Sequence, residues 1–388
     1  MISQQELFMR YYFIAGEASG DLHASNLIRE IKKLDVEASF RCWGGDLMKQ
    51  QACPDKFGGA ELVKHYKELA FMGFVEVIVN LRTILKNIEF CKKDILAHKP
   101  DVLVLIDYPG FNLRIAEFAK KNGIKVFYYI SPQVWAWKQS RIQHIKKYVD
   151  RMFVILPFEK DFYKKFDYAV DFVGHPLLDA LEQRKKVKDT FPDFTRKNGL
   201  NDKPIVAILP GSRKQEIEKM LPLMAKMSSA YPDFQFVAAG VSTQQKEFYA
   251  SLIGDNNVKV IFGKTYDLLE QSTAALVTSG TATLETALFG IPEVVCYKGG
   301  MISFQIAKML VKVDFISLVN LIMGKEVVKE LIQNDFNEDA LRQETDKLLK
   351  DKDYRNKMVA ELDILKKDLG GAGASEKTAR LMMDYLGN

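Results

Sequence analysis

The feature that most constrains this chain is an alternation of short apolar runs with helical patterns, which occurs twice along its length. In the first half, Tyr11–Ala15, Ser39–Cys42, Val102–Ile106, Val126–Ile130, Met152–Leu156 and Val170–Val173 read as strands. Helical periodicity lies between most of them, at Leu22–Lys33, Val75–Ala97, Asn112–Lys121, Lys138–Tyr148 and Phe158–Phe166. The alternation pauses at Gly174-His175-Pro176, and a charged stretch from Glu182 to Lys203 follows. It then restarts with strands at Ile205–Leu209, Gln235–Ala239, Val258–Ile261, Ala275–Val277 and Val294–Tyr297. The helices of this half read as Lys214–Ala230, Tyr266–Gln271, Ala282–Phe289 and Ser303–Val311. The end of the chain reads as helix: Glu338–Lys350, Tyr354–Leu369 and, after a glycine break at Gly370–Gly373, Ser375–Leu386. Strands buried on both faces and separated by helices imply an α/β fold of doubly wound parallel sheets.

Length supports two such domains, because 388 residues exceed what a single core accommodates. The expected organisation is a Rossmann-like domain over residues 1–182, a linker over 183–203 and a second Rossmann-like domain over 204–369. A C-terminal helix over 370–388 then packs back on the first domain or on a partner subunit. The four cysteines are scattered, with neither CxxC nor Cys/His ligand spacing, which argues against a disulfide frame or a structural zinc site. The first ten residues lack an apolar signal core, and no apolar run reaches the roughly 18 residues of a spanning helix, so the expected location is cytoplasmic. The net charge of +5 is unevenly spread: Val75–Lys147 carries thirteen Lys/Arg against six Asp/Glu. Such a stretch suits anionic lipid or nucleic acid, or is a solvated surface; no RNA-recognition motif accompanies it, so no nucleic-acid partner is expected.

In doubly wound sheets, ligands bind beyond the carboxyl ends of the strands, so the residues just after strands carry the chemistry. After the first strand stands Gly16-Glu17-Ala18-Ser19-Gly20-Asp21. Gly16, Ser19 and Gly20 allow a tight turn into a helix N-terminus, with Ser19 or Asp21 available as its cap. Capping does not account for Glu17, a charge in the middle of the turn. The turn is not GxGxxG, and no ribose-binding acid ends the second strand, which argues against a nicotinamide dehydrogenase. After Val102–Ile106 comes Asp107, either a general base in the crevice or a helix cap. Trp135 and Trp137 follow the next strand and suit a sugar face or a core contact equally. In the second half, Gly211-Ser212-Arg213 and Ser279-Gly280-Thr281-Ala282-Thr283 each turn from strand to helix. Together they suit a diphosphate, with Glu285 one turn further on for ribose hydroxyls.

The stretch Ala70–Leu85 has more apolar residues than a surface helix needs. A core-facing stripe would take Val77, Leu81, Ile84, Ile88, Cys91 and Ile95. The remainder, with its edges, gives a candidate membrane or acyl contact of Phe71, Phe74, Val75, Ile78, Leu81 and Leu85, flanked by Arg82, Lys86, Lys92 and Lys93. A domain or subunit contact is the other use of such a face. Asp351-Lys352-Asp353 is a DxD, but it sits in a charged helical tail, and the five histidines are scattered; no metal site and no cofactor are expected.

The ordered motifs resemble the lipid-A-disaccharide synthase family, bacterial enzymes of lipid A assembly with the glycosyltransferase-B (GT-B) fold. AGEASGD (Ala15–Asp21), ELAFMGFVEV (Glu68–Val77), KPDVLVLIDYPGFN (Lys99–Asn112) and SPQVWAWKQSR (Ser131–Arg141) carry the resemblance in the first half. LPFEKDFY (Leu156–Tyr163), FVGHP (Phe172–Pro176), LPGSR (Leu209–Arg213), SGTATLE (Ser279–Glu285) and SLVNL (Ser317–Leu321) continue it. Gly110 departs from the pattern, standing where related sequences often carry a second acid. The resemblance implies two domains facing across a cleft and a metal-independent transfer with inversion. UDP-2,3-diacylglucosamine would donate its sugar to the 6-hydroxyl of 2,3-diacylglucosamine 1-phosphate (lipid X), giving a β-1,6 disaccharide and UDP. Asp107 would then be the base. Arg213, the amides after Gly211 and the Ser279–Thr283 turn would hold the diphosphate, and Glu285 the nucleoside. Glu17 and Asn320 would orient sugar hydroxyls or acyl amides. The protein would sit peripherally on the cytoplasmic face of the inner membrane, with a homodimer open. Another UDP-sugar transferase, a UDP-sugar epimerase and a non-catalytic nucleotide sensor are the competing functions.

Overall fold

A computed structural model of the chain describes residues 9–51, 62–69, 80–136, 138–182, 184, 189–300 and 314–387. The chain divides into two compact units, Met1–Glu182 with Leu369–Asn388, and Gln183–Asp368.

Unit 1 is built on a seven-stranded parallel sheet of β1 (Arg10–Ala15), β2 (Ser39–Gly44), β3 (Leu62–His65), β4 (Val102–Ile106), β5 (Lys125–Tyr129), β6 (Arg151–Val154) and β7 (Asp171–Phe172). Their spatial order is β3-β2-β1-β4-β5-β6-β7. In β1, Tyr12 and Ile14 belong to one core layer, while Tyr11, Phe13 and Ala15 belong to the other. This is why the strand is apolar throughout instead of alternating. Tyr12 and Trp43 are both fully buried, and their polar atoms are satisfied: Trp43 Nε1 donates to Tyr12 Oη at 2.7 Å, and Tyr12 donates to Asp94 at 2.6 Å. Arg41 pairs with the same carboxylate at 2.6 Å.

The C-terminal helix Ala374–Leu386 belongs to unit 1, with Ala379 and Met382 buried in the layer that holds Tyr11 and Phe13. Buried Asp179 accepts hydrogen bonds from the amides of Gly373, Ala374 and Ser375 at 2.6, 3.1 and 2.8 Å. A carboxylate there satisfies otherwise unpaired donors and complements the helix dipole. At the other end, the Arg151 guanidinium stacks 3.9 Å from the Tyr385 ring centroid.

Unit 2 has a six-stranded parallel sheet of β8 (Ile205–Leu209), β9 (Gln235–Gly240), β10 (Val258–Phe262), β11 (Ser272–Thr278), β12 (Glu293–Tyr297) and β13 (Lys329–Ile332), ordered β10-β9-β8-β11-β12-β13. Numbered within the unit, that is the doubly wound order 3-2-1-4-5-6. The charged stretch expected as a linker contains the helix Phe191–Asn198, whose Phe194 is buried in the core of unit 2. Phe194, with the partly buried Phe191, docks this charged helix on that core, so those residues belong to the second unit. The strands that sequence patterning misses, β3 and β13, both lie at sheet edges and are mostly half-exposed. Edge strands need no continuous apolar run. The helix expected at Ser303–Val311 lies outside the described residues.

Candidate functional site

Ligands of doubly wound sheets bind where the strand order reverses. In unit 1 that point lies between β1 and β4, and in unit 2 between β8 and β11. Ala15 pairs with Ile106 at the ends of β1 and β4, so Glu17 and Asp107 leave that sheet side by side. Leu209 pairs with Val277 at the ends of β8 and β11, and the Gly211 and Ser279 turns leave unit 2 in the same manner.

The unit 1 turn is held by close packing. A Cβ on Gly16 would stand 2.4 Å from the Tyr108 ring, so only glycine fits there. Glu17 is the N-cap residue of the helix Ala18–Leu34, in extended conformation, and its side chain makes no capping hydrogen bond. Asp21, one of two candidate caps, serves another helix: it accepts from the amides of Gly45, Leu47 and Met48 at 2.8, 3.1 and 3.0 Å. Ser19 is exposed and Gly20 buried.

Asp107 and Tyr108 both adopt left-handed backbone, with φ of 42° and 49°. Two successive non-glycine residues in that region cost on the order of 1–3 kcal/mol each, so the surroundings must impose them. Asn112, fully buried, donates from Nδ2 to the carbonyls of Ile106 and Asp107 at 3.1 and 2.7 Å, and the Tyr128 hydroxyl also donates to the Asp107 carbonyl. With its main chain pinned, Asp107 presents its carboxyl at the crevice. Protein atoms crowd that carboxyl and the Glu17 carboxylate repels its charge, which together raise its pKa to about 7. The residue still keeps substantial surface open to solvent. The crowding therefore falls short of full burial, and water tempers the shift while leaving its upward direction intact. A carboxyl poised near neutrality can take a proton from a hydroxyl. Asn112 and Tyr128 went unassigned in the sequence, although Asn112 ends the motif that contains Asp107.

In unit 2, Gly211 has φ of +112°, and a Cβ there would come within 2.9 Å of Glu216. The Glu216 carboxylate folds back over the turn. It accepts from the Ser212 and Arg213 amides at 3.3 Å each and pairs with Arg213 Nη1 at 2.9 Å. These donors already hold an anion, one supplied by the chain itself. Gly280 is the N-cap of the helix Thr281–Leu288 and adds no capping side chain. Thr281 is exposed, Ala282 half-buried, and Thr283 turns inward to donate to the Gly280 carbonyl at 2.9 Å. Ser279 donates to the Ile316 carbonyl at 3.2 Å. The Thr281 and Ala282 amides belong to a first turn, which lacks intrahelical acceptors. Glu285, one turn on, borders a cavity of about 450 Å³ lined by Arg184, Gly263, Lys264, Thr265, Tyr266 and Asp267. Burial pushes its carboxyl up, and a 2.7 Å hydrogen bond from the Tyr266 hydroxyl opposes that.

Other residues differ from expectation. Asn320 is fully buried: its Nδ2 donates to the Val328 carbonyl and Glu330 at 2.8 and 2.9 Å, and its Oδ1 accepts from the Val327 and Val328 amides at 2.7 and 3.0 Å. Those bonds lock a loop within unit 2 and leave no group to orient a sugar. Trp135 packs edge-on against Phe158, 5.1 Å between ring centroids, in the core manner, and Trp137 is outside the described residues. Leu81 and Leu85 are 46% and 48% exposed, so Leu81 does not join the core stripe that Ile88, Cys91 and Ile95 form. Phe71, Phe74, Val75 and Ile78 are outside the described residues. No described helix is long and apolar enough to cross a membrane. Among the described residues, no cluster of His, Cys, Asp and Glu could hold a metal ion. Asp351 and Asp353 are both exposed, and Asp351 accepts from the Tyr354 amide at 2.9 Å.

Known proteins agree with this architecture. Among solved structures, a UDP-GlcNAc 2-epimerase from Neisseria meningitidis bound to UDP-GlcNAc matches with a TM-score of 0.69 at 14% identity, over 97% of this chain and 100% of that one. The glycotransferase of kitacinnamycin matches at 0.65 and 15%, over 98% and 100%. These likenesses show the GT-B fold. In sequence, the lipid-A-disaccharide synthase of Syntrophus aciditrophicus is 41% identical over 380 residues, 96% of this chain and 97% of its own. That of Geobacter sulfurreducens is 38% identical over 384 residues, 97% of each. A family model for lipid-A-disaccharide synthetase matches residues 11–382. With the family model and both relatives matching over nearly the whole chain, it belongs to the lipid-A-disaccharide synthase family.

Proposed function

We propose that this glycosyltransferase joins UDP-2,3-diacylglucosamine to the 6-hydroxyl of 2,3-diacylglucosamine 1-phosphate (lipid X) in one inverting displacement, with release of UDP. The observation that carries the proposal is the pairing of a near-neutral carboxyl, Asp107, with a phosphate-type turn, Gly211–Arg213, each at the reversal point of its own sheet. As the anomeric carbon takes on oxocarbenium character, Asp107 accepts the acceptor hydroxyl proton. Negative charge grows on the departing diphosphate. The Arg213 guanidinium and the amides of the Ser212–Arg213 and Thr281–Ala282 turns supply fixed donors for it, in place of a divalent ion. The Glu216 carboxylate leaves those donors as the diphosphate arrives. Glu285 accepts ribose hydroxyls in its cavity, and Glu17 orients the acceptor beside Asp107.

Exposed Leu81 and Leu85, with exposed Arg82, Lys86 and Lys93, support a peripheral contact with an anionic membrane surface that presents the lipid substrates. The cytoplasmic face of the inner membrane fits that chemistry. Purified protein incubated with the diacylated UDP-glucosamine, with and without acceptor, tests the reaction. Acceptor-dependent UDP release and a β-1,6 product are expected. UDP release that ignores the acceptor, or interconversion of the donor sugar, would refute it. Leu81→Ser with Leu85→Ser is expected to weaken sedimentation with phosphatidylglycerol vesicles; unchanged binding refutes the membrane contact.

A further inference from the structure

We propose that Tyr266 is a positioning residue for donor recognition: it fixes the plane and the charge of the Glu285 carboxylate that receives the nucleoside ribose, and Arg184 holds Tyr266 in place. The inference rests on the donor-site reading above and adds a layer behind it.

Tyr266 donates to Glu285 Oε1 at 2.7 Å, and Oε2 has no hydrogen bond among the described residues. Both residues line the same cavity. A glutamate carboxylate rotates almost freely about its last bond. Two neighbouring ribose hydroxyls need that carboxylate ionised and held in one plane. Burial works against the charged form, and the tyrosine hydroxyl favours it. Tyr266 remains a donor throughout, because burial and the Glu285 carboxylate push its own ionisation far up.

The tyrosine ring is itself clamped. The Arg184 guanidinium stands 5.4 Å from the Tyr266 centroid and 5.7 Å from that of Phe289, and the two rings are 5.6 Å apart. Arg184 is in turn tied to Asp267 and, at 3.6 Å, to Glu270, on the helix Thr265–Glu270 that carries Tyr266. Cation–π contact and ion pairs thus bind one arginine to the wall of the cavity. A shell this ordered is what a hydrogen-bonding site needs to discriminate among ligands.

Calorimetric titration of UDP and of 2′,3′-dideoxy-UDP into the full chain tests the inference, with wild type, Tyr266→Phe, Glu285→Gln and the double variant compared from pH 6 to 8. Tyr266→Phe keeps the ring between Arg184 and Phe289, and an unchanged melting temperature confirms folding. Loss of one hydrogen bond to a charged group predicts roughly 10- to 150-fold weaker UDP binding. The dideoxy analogue should be unaffected, and because the lost hydroxyl favoured the charged carboxylate, the defect should be no smaller at the acid end of the range. In the Glu285→Gln background, Tyr266→Phe should add almost nothing. UDP binding and ribose preference equal to wild type in Tyr266→Phe would overturn the inference while leaving the donor site standing. Wild type that binds neither nucleotide would overturn the donor site itself.

Discussion

The coupling of Glu17 to Asp107 makes a quantitative prediction. Water tempers the rise of the Asp107 pKa; at its upper limit of about 7, about a tenth of the carboxyl is ionised at pH 6 and about nine tenths at pH 8. If the ionised form is the base, kcat rises by up to roughly tenfold over that interval and then levels off. Crowding is the larger cause of the raised pKa and Glu17 the second. Glu17→Gln keeps a hydrogen-bonding side chain and removes the repelling charge. The rising limb should therefore move to lower pH, by less than the distance to an ordinary aspartate. Asp107→Asn should lower kcat by about 10²- to 10⁴-fold, or about 3–5 kcal/mol in the barrier, and flatten the profile, with UDP affinity nearly unchanged. Steady-state UDP release in mixed micelles, measured at half-unit intervals from pH 5.5 to 9, reads all three effects. Near-normal turnover in Asp107→Asn sinks the base assignment. A limb that stays in place in Glu17→Gln sinks the coupling even if the base survives.

Three further outcomes follow from the packing. Asn112→Ala takes the side-chain donor from two carbonyls, of which only that of Asp107 keeps the Tyr128 hydroxyl, and should cost about 1–3 kcal/mol of unit 1 stability along with turnover; Asn112→Asp, which faces those carbonyls with an acceptor, should be worse, and urea melts decide the ranking. Glu293 is fully buried, neither carboxyl oxygen has a partner among the described residues, and burial raises its pKa well above the ordinary value. The native state therefore keeps its proton while the unfolded chain releases one above about pH 4.5, so stability falls as pH rises, by up to about 1.4 kcal/mol per unit. Glu293→Met should remove that slope and raise the unit 2 unfolding midpoint at pH 8; equal midpoints would refute the account. Burial also depresses His23 to about 4 and His175 to about 3. Both are neutral in the native state, so below about pH 6.5 the unfolded chain binds protons that the native one does not, and stability falls on acidification. His175→Asn, which can still accept from the Leu177 amide, should shift the near-ultraviolet circular dichroism transition of unit 1 to lower pH.

Sequence by itself determined the alternation, the two domains and most strand ends, because a strand buried on both faces writes an apolar run into the chain wherever it lies. The strand-end motifs were legible for a related reason: turns that admit a ligand need glycine or small hydroxyl residues, and a charge such as Glu17 stands out among them. Only the tertiary structure decided what those residues touch. Register placed Glu17 beside Asp107 and the Gly211 turn beside the Ser279 turn, and register depends on residues some ninety and seventy positions apart. Asn320 looked like a ligand residue within its motif, yet its hydrogen bonds close on its own loop. The reverse holds for Tyr266 and Arg184. Nothing local marks them, because their roles come from partners that folding brings to them: a carboxylate on another helix and a ring across the cavity wall. The final helix is a similar case. Its amphipathic pattern announced a buried face, and the Asp179 carboxylate at its N-terminus settled which domain it covers.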